Sequence, residues 1–192
     1  MISFIPYLRR LALCLFAAAL LSPAACAPSG RVSIGGPFHL VDQDSRPRDQ
    51  SVLNGKWTAV FFGYTYCPDV CPTTLQSLAE AQDRLGTKSA DFQVVFISVD
   101  PERDTPRQLK AYLSNTAFPQ GTIGLTGSPA EIAEAAKAYH MFYQRQGAGA
   151  DYAVQHTSAV YLMNREGRFD RVIAYGLTPD EEARQITEAM RG

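Results

Sequence analysis

Two apolar runs stand out from a chain that is otherwise amphipathic. Trp57 to Phe62 is dense in β-branched and aromatic residues, and so is Phe92 to Val99. Runs this short with almost no polar face predict strands buried on both sides, as in a parallel sheet covered by helices. Helical spacing separates them. Pro72 to Leu85 sets Leu75, Leu78, Ala79 and Leu85 on one face, and Gly86 stops it. Thr105-Pro106 is an N-cap followed by proline at the first helical position, which predicts a helix to about Asn115. Ser128-Pro129-Ala130-Glu131 and Thr178-Pro179-Asp180-Glu181 are capping boxes. The first opens a helix toward His140, the second a final helix. Gly121 to Leu125 reads as a short strand. Ser158 to Met163 and Phe169 to Tyr175 read as a hairpin around Asn164-Arg165-Glu166-Gly167. Gln144 to Gln155 holds Gly147 and Gly149 and little periodicity, so it predicts a mobile loop or a loose hairpin.

Charge and length narrow the class. Lys plus Arg number 18 against 19 Asp plus Glu, with no basic run, so nothing favours nucleic acid. Arg9 and Arg10 precede the uncharged run Leu11 to Leu21, which reads as an export signal. It stops at Ser22-Pro23, short of the ~20 apolar residues of a membrane span. Small residues before Cys26 resemble a bacterial lipoprotein signal. Pro23 departs from the usual leucine-like residue there, and cleavage after Ala27 or an uncleaved anchor stay open. The expected organisation is residues 1–27 as signal or anchor, 28–37 as a tether, and 38–192 as one domain. The expected placement is membrane-tethered, facing the periplasm. No exposed apolar repeat calls for an obligate assembly, so a monomer is expected.

Cys14 lies inside the signal and Cys26 beside its end, which leaves Cys67 and Cys71 in the folded part. They follow a strand and meet the start of a helix, whose positive end favours thiolate over thiol. Thiolate is both the nucleophile of disulfide exchange and a soft ligand suited to Cu(I). Side chains four apart at a helix start face the same way, so both sulfurs can reach one ion or close a disulfide. A structural disulfide framework would carry several distant pairs. A third ligand must come from three histidines. His156, just before the strand Ala159 to Met163, would meet the end of the strand leading to Cys67; a surface loop histidine is the plainer alternative. His140 reads as a helix-end residue, and His39, in an early strand, carries no role. Met141 and Met163 read as core. A Cys2His set suits copper better than structural zinc, which wants a fourth ligand. The element order and the position of the pair predict an α/β thioredoxin-like fold, with a central mixed β-sheet flanked by helices.

Four segments together resemble the Sco/SenC family: Gly35-Gly36-Pro37-Phe38; Phe62-Gly63-Tyr64-Thr65 before Cys67-Pro68-Asp69-Val70-Cys71-Pro72; Ser98-Val99-Asp100-Pro101-Glu102-Arg103-Asp104-Thr105; and Gln155-His156-Thr157. The resemblance implies a tethered, copper-binding protein that helps assemble the binuclear copper centre of cytochrome c oxidase subunit II. It implies Cys67, Cys71 and His156 as copper ligands, for Cu(I) and also Cu(II), and places Asp100 near them. Tyr66 departs from the histidine that many members carry there, and would tune the site or meet a partner. Asp69 reads as a helix cap or a copper neighbour, Asp104 as an aid to the Thr105 cap, and Arg103 as a partner for either acid. Tyr64 and Tyr66 would wall the site or form a docking surface. A thiol–disulfide oxidoreductase acting on a copper-receiving protein is the alternative. A copper sensor or scavenger would need the same ligands. A peroxidase of the peroxiredoxin kind would need a proline near Thr65, and the chain has none before it there.

Overall fold

The computed structural model describes residues 33–191. The proposed signal, with Cys14 and Cys26, lies outside them. Seven strands form the main sheet in the order β2-β1-β5-β4-β3-β8-β9. They are β1 (His39–Asp42), β2 (Pro47–Asp49), β3 (Trp57–Gly63), β4 (Phe92–Ser98), β5 (Ile123–Thr126), β8 (Val160–Met163) and β9 (Phe169–Ile173). A separate antiparallel hairpin joins β6 (Tyr143–Gln146) to β7 (Ala153–His156). The helices are α1 (Val70–Arg84), α2 (Pro106–Leu113), α3 (Pro129–Ala138) and α4 (Pro179–Ala189). Among the described residues no helix is long and apolar enough to cross a membrane.

The two apolar runs are the centre of the sheet. β3 and β4 pair in parallel from Trp57↔Phe92 to Gly63↔Ser98. β5 continues the parallel set, while β1 joins β5, and β8 joins β3, in antiparallel register. The sheet is therefore mixed, as expected, with the parallel pairing that the two apolar runs predict at its middle. The three-residue β2 was not legible, because Pro47-Arg48-Asp49 has no apolar pattern and its edge position demands none.

Strand alternation sorts the core into two layers. Phe61 and its cross-strand partner Phe96 face one side, with ring centroids 5.9 Å apart, and Tyr112 of α2 packs on Phe96 at 6.0 Å. Phe62 faces the other side, against Tyr139 at the end of α3 and Tyr161 of β8. The capping boxes at Ser128 and Thr178 both form, and Thr105 caps α2. α3 stops at Ala138, and His140 follows in a left-handed conformation (φ 51°), exposed. Met141 and Met163 are buried, as expected of core methionines.

α1 begins two residues before the expected Pro72. Proline is tolerated in a first turn because its missing N–H would have no intrahelical partner there. Cys71 consequently lies inside the helix.

α4 packs on α1 through an unusual contact. Glu182, 3% exposed, accepts a hydrogen bond from Ser77 at 2.9 Å. Burial is the main force on its carboxyl, pushing the pKa up to about 7 against the lowering effect of Ser77. A raised folded-state pKa favours the neutral acid in the native protein. The stability this group contributes is full below the unfolded value near 4.5 and is lost as pH rises through about 7. Glu182→Gln should therefore stabilise the protein by about 1–3 kcal/mol at pH 8 and leave it unchanged at pH 4, read by urea unfolding at the two pH values.

Candidate metal centre

The thiols meet a backbone shaped to receive them. β3 ends at Gly63, where a Cβ would sit 2.9 Å from the Cys71 sulfur and 2.8 Å from the Phe96 ring. Only hydrogen fits between strand and helix at this point, so the start of α1 can lie against the end of β3. Cys71 is fully buried in the contact, while Cys67 is half-buried on the loop between the two elements. The Cys71 N–H, a first-turn donor without an intrahelical acceptor, points at the Cys67 sulfur at 3.4 Å. Cys67 thus takes the place at the helix N-terminus expected of Asp69. The Asp69 side chain is exposed and caps nothing, and only Thr73 reaches it.

Tertiary pairing brings up the histidine. Because β8 runs antiparallel to β3, with Phe61 opposite Val160, the chain entering β8 passes the end of β3. His156 closes β7 there, its Nε2 3.6 Å from Cys71 Sγ. Its other ring nitrogen lies 3.1 Å from the carbonyl of Thr157, which orients the ring with Nε2 toward the sulfur. The buried Tyr64 stands edge-on to the imidazole, with centroids 6.0 Å apart. Sγ of Cys67, Sγ of Cys71 and Nε2 of His156 all lie within 4.8 Å of one another. No other His, Cys, Asp or Glu among the described residues joins this group. His39 and His140 stand apart from it.

The two sulfurs differ electrically. The Cys67 thiol is pulled down to about 3, chiefly because the Cys71 thiol donates to it, against partial burial and with help from His156 and the backbone at Asp69 and Cys71. Cys71 is pushed far up by that same donated bond, then by burial and by the charge on Cys67. Together they hold one proton: an accessible thiolate in front and a buried thiol behind.

Two buried acids brace the surrounding loops. Asp104, fully buried, accepts hydrogen bonds from the Thr65 N–H at 2.9 Å, the Thr65 hydroxyl at 2.7 Å and the Ser98 hydroxyl at 2.7 Å. Its role is to pin the loop ahead of Cys67. The Thr105 cap, which it was expected to assist, forms instead with the Gln108 N–H donating to the Thr105 hydroxyl. Nothing local in the sequence marks this, since Thr65 and Asp104 meet only through the pairing of β3 with β4. Asp100 lies outside the three-atom cluster. Arg103 Nε donates to its Oδ2 at 2.5 Å and the Tyr152 hydroxyl to its Oδ1. Burial, then the bond to Asp100, pushes the Tyr152 phenol up to about 12, so it remains a donor. Tyr66 is exposed and lies under the Arg103 guanidinium, outside the donor set.

Comparison with known proteins agrees with this architecture. The profile of the SCO1/SenC family matches residues 27–191. The chain is 43% identical over 157 residues to Protein SCO1 homolog 1, mitochondrial, of Arabidopsis thaliana, covering 81% of this chain and 46% of that protein. It therefore spans about half the length of that relative. Among solved structures, Bradyrhizobium japonicum ScoI with copper bound superimposes with a TM-score of 0.74 at 43% identity, covering 81% of this chain and 99% of that one. Yeast Sco1 with copper bound gives a TM-score of 0.77 at 35% identity, covering 83% and 90%. The fold is thioredoxin-like, as its element order predicts. With a family match across nearly all of the described residues and a cysteine–cysteine–histidine cluster at the junction of β3 and α1, the chain belongs to the SCO1/SenC family.

Proposed function

We propose that this protein is a copper metallochaperone that holds Cu(I) on Cys67, Cys71 and His156. It would deliver the ion to, or prepare, the binuclear copper centre of cytochrome c oxidase subunit II. The observation that carries the reading is the convergence of two sulfurs and one imidazole nitrogen within 4.8 Å. Two thiolates and an imidazole form a soft, three-coordinate set, which suits Cu(I) and leaves zinc without its usual fourth ligand. The copper-bound relatives support the choice of metal. An open coordination position and a half-buried Cys67 let an acceptor thiolate enter and take the ion by ligand exchange. The basic pair Arg9-Arg10 before the uncharged run Leu11 to Leu21 supports a tether to the membrane on its periplasmic side, from which a monomer would meet its protein partner.

The same geometry favours a second reading, thiol–disulfide exchange with the cysteines of the copper-receiving protein. Cys67 is accessible and carries the thiolate, while Cys71 waits behind it as a thiol. The Cys67 thiolate would attack the partner disulfide and displace one partner thiolate. Cys71, giving up its proton, would then attack the mixed disulfide. The Cys71 proton goes to one displaced partner sulfur and water supplies the other, so the partner leaves with two thiols and Cys67–Cys71 becomes a disulfide.

The reduced full-length chain should bind one Cu(I) in competition with a chromophoric chelator. His156→Ala should weaken that binding by about tenfold or more without loss of fold, and oxidation of the cysteine pair should abolish it. Parent-like affinity in His156→Ala would remove the histidine from the ligand set. Asp104→Ala, which strands Thr65 and Ser98, should lower stability by about 2 kcal/mol and weaken Cu(I) binding, read by chemical denaturation and the same competition. For the second reading, Cys71→Ser should trap a mixed disulfide with an oxidised acceptor and Cys67→Ser should not; trapping by both or neither would sink it.

A further inference from the structure

The hairpin that carries His156 buries few of its own residues for an element so close to the site. Three of the four β6 residues are exposed, and in β7 only Val154 is buried. An open cleft of about 140 Å³ borders it, lined in part by Val99, Pro101, Pro129, Tyr143, Tyr152 and Val154. Packing alone does not seat this element. Strand alternation places Tyr152, Val154 and His156 on one face, with Tyr152 buried.

Tyr152 is clamped from both sides. The guanidinium carbons of Arg103 and Arg145 each lie 3.6 Å from its ring centroid. Its hydroxyl donates to Asp100. Arg103 spans three parts of the molecule. Its Nε donates to Asp100 beyond β4, and its Nη1 donates to the Ala150 carbonyl in the hairpin turn at 3.2 Å. Its guanidinium also lies 4.6 Å from the Tyr66 ring, next to Cys67. Arg145 closes the outer side through Glu102 at 3.2 Å and the Gly149 carbonyl at 3.1 Å. Cation–π stacking and a carboxylate hydrogen bond both strengthen when water is excluded, as it is around the buried Tyr152 and Asp100.

We propose that the Arg103–Tyr152–Asp100 stack is a latch that positions His156 for metal binding. The inference rests on the copper reading above. Tyr152 stands four residues from His156, about 13 Å along the strand. His156 sits at the root, where the chain turns into β8. With the far end latched, the hairpin angle is set and Nε2 stays at Cys71 Sγ. With the far end released, β7 can roll about its own axis, and the imidazole, on the same face as Tyr152, turns away from the sulfurs. Arg103, Tyr152 and Asp100 touch no metal; they act through the histidine.

Two variants cut the latch from opposite sides. Arg103→Ala removes the shared guanidinium. Tyr152→Leu leaves Arg103 on Asp100 and removes ring and hydroxyl. Each is made in the full-length reduced chain, with His156 intact and with His156→Ala. Cu(I) competition is read alongside backbone amide exchange of the metal-free protein. Expected with His156 intact is Cu(I) binding weakened about tenfold, equivalent to about 1.4 kcal/mol, and no further loss in the His156→Ala background. Amides of residues 143–156 should exchange faster while those of β3 and β4 keep the parent rate. Equal losses in both backgrounds, or parent-like exchange in the hairpin, overturn the latch. If one variant exchanges throughout, as an unfolded chain would, the other decides. If the parent takes no Cu(I), the copper reading fails, and hairpin exchange alone then decides whether the stack holds this element.

Discussion

The meeting of the Cys71 sulfur with the hydrogen-only face of Gly63 constrains everything around the site. A strand must stop and a helix must start within one loop, and the two must touch. Any side chain at residue 63 would occupy the space of the sulfur or of the Phe96 ring. Because they touch, Cys71 is enclosed and its thiol stays protonated, while Cys67 remains at the mouth as the acceptor of that proton's hydrogen bond. The asymmetry of the pair follows from this packing, since the two residues are chemically identical.

Each neighbouring loop is then tied by a buried carboxylate. Asp104 collects the backbone and hydroxyl of Thr65 and the hydroxyl of Ser98, so the approach to Cys67 is anchored to the end of β4. Asp100 collects Arg103 and Tyr152, and so anchors the hairpin. A buried acid is costly unless its hydrogen bonds are made, and here they come from segments far apart in the chain. The cost of burial thereby holds the loops in place around the cluster.

The cores of the elements were legible because each carried a local signature. The capping boxes at Ser128 and Thr178, the proline after Thr105 and the apolar runs of β3 and β4 all act within a few residues. Ends were less legible. Pro72 looked like a first helical residue, yet the helix takes in Val70 and Cys71, because proline fits anywhere in the first turn. Gln144 to Gln155 looked irregular because its strands are mostly solvated, and only Tyr152, Val154 and His156 on the inner face betray the period of two. Neither Asp69 nor Asp104 serves the helix cap beside it, for one reason. Each stood beside a helix start, and the capping role that proximity suggests was filled by other groups.

The amino-acid sequence by itself determined the main strands and helices, their order, the candidate donors Cys67, Cys71 and His156, and the family, because these depend on residue type and short-range spacing. Tertiary structure alone decided that the histidine reaches the thiols, that Cys71 rather than Cys67 is enclosed, and that Arg103 joins the cysteine loop to the hairpin. Those facts depend on the antiparallel pairing of β8 with β3 and on contacts between residues some 37 to 85 positions apart, which no local pattern encodes.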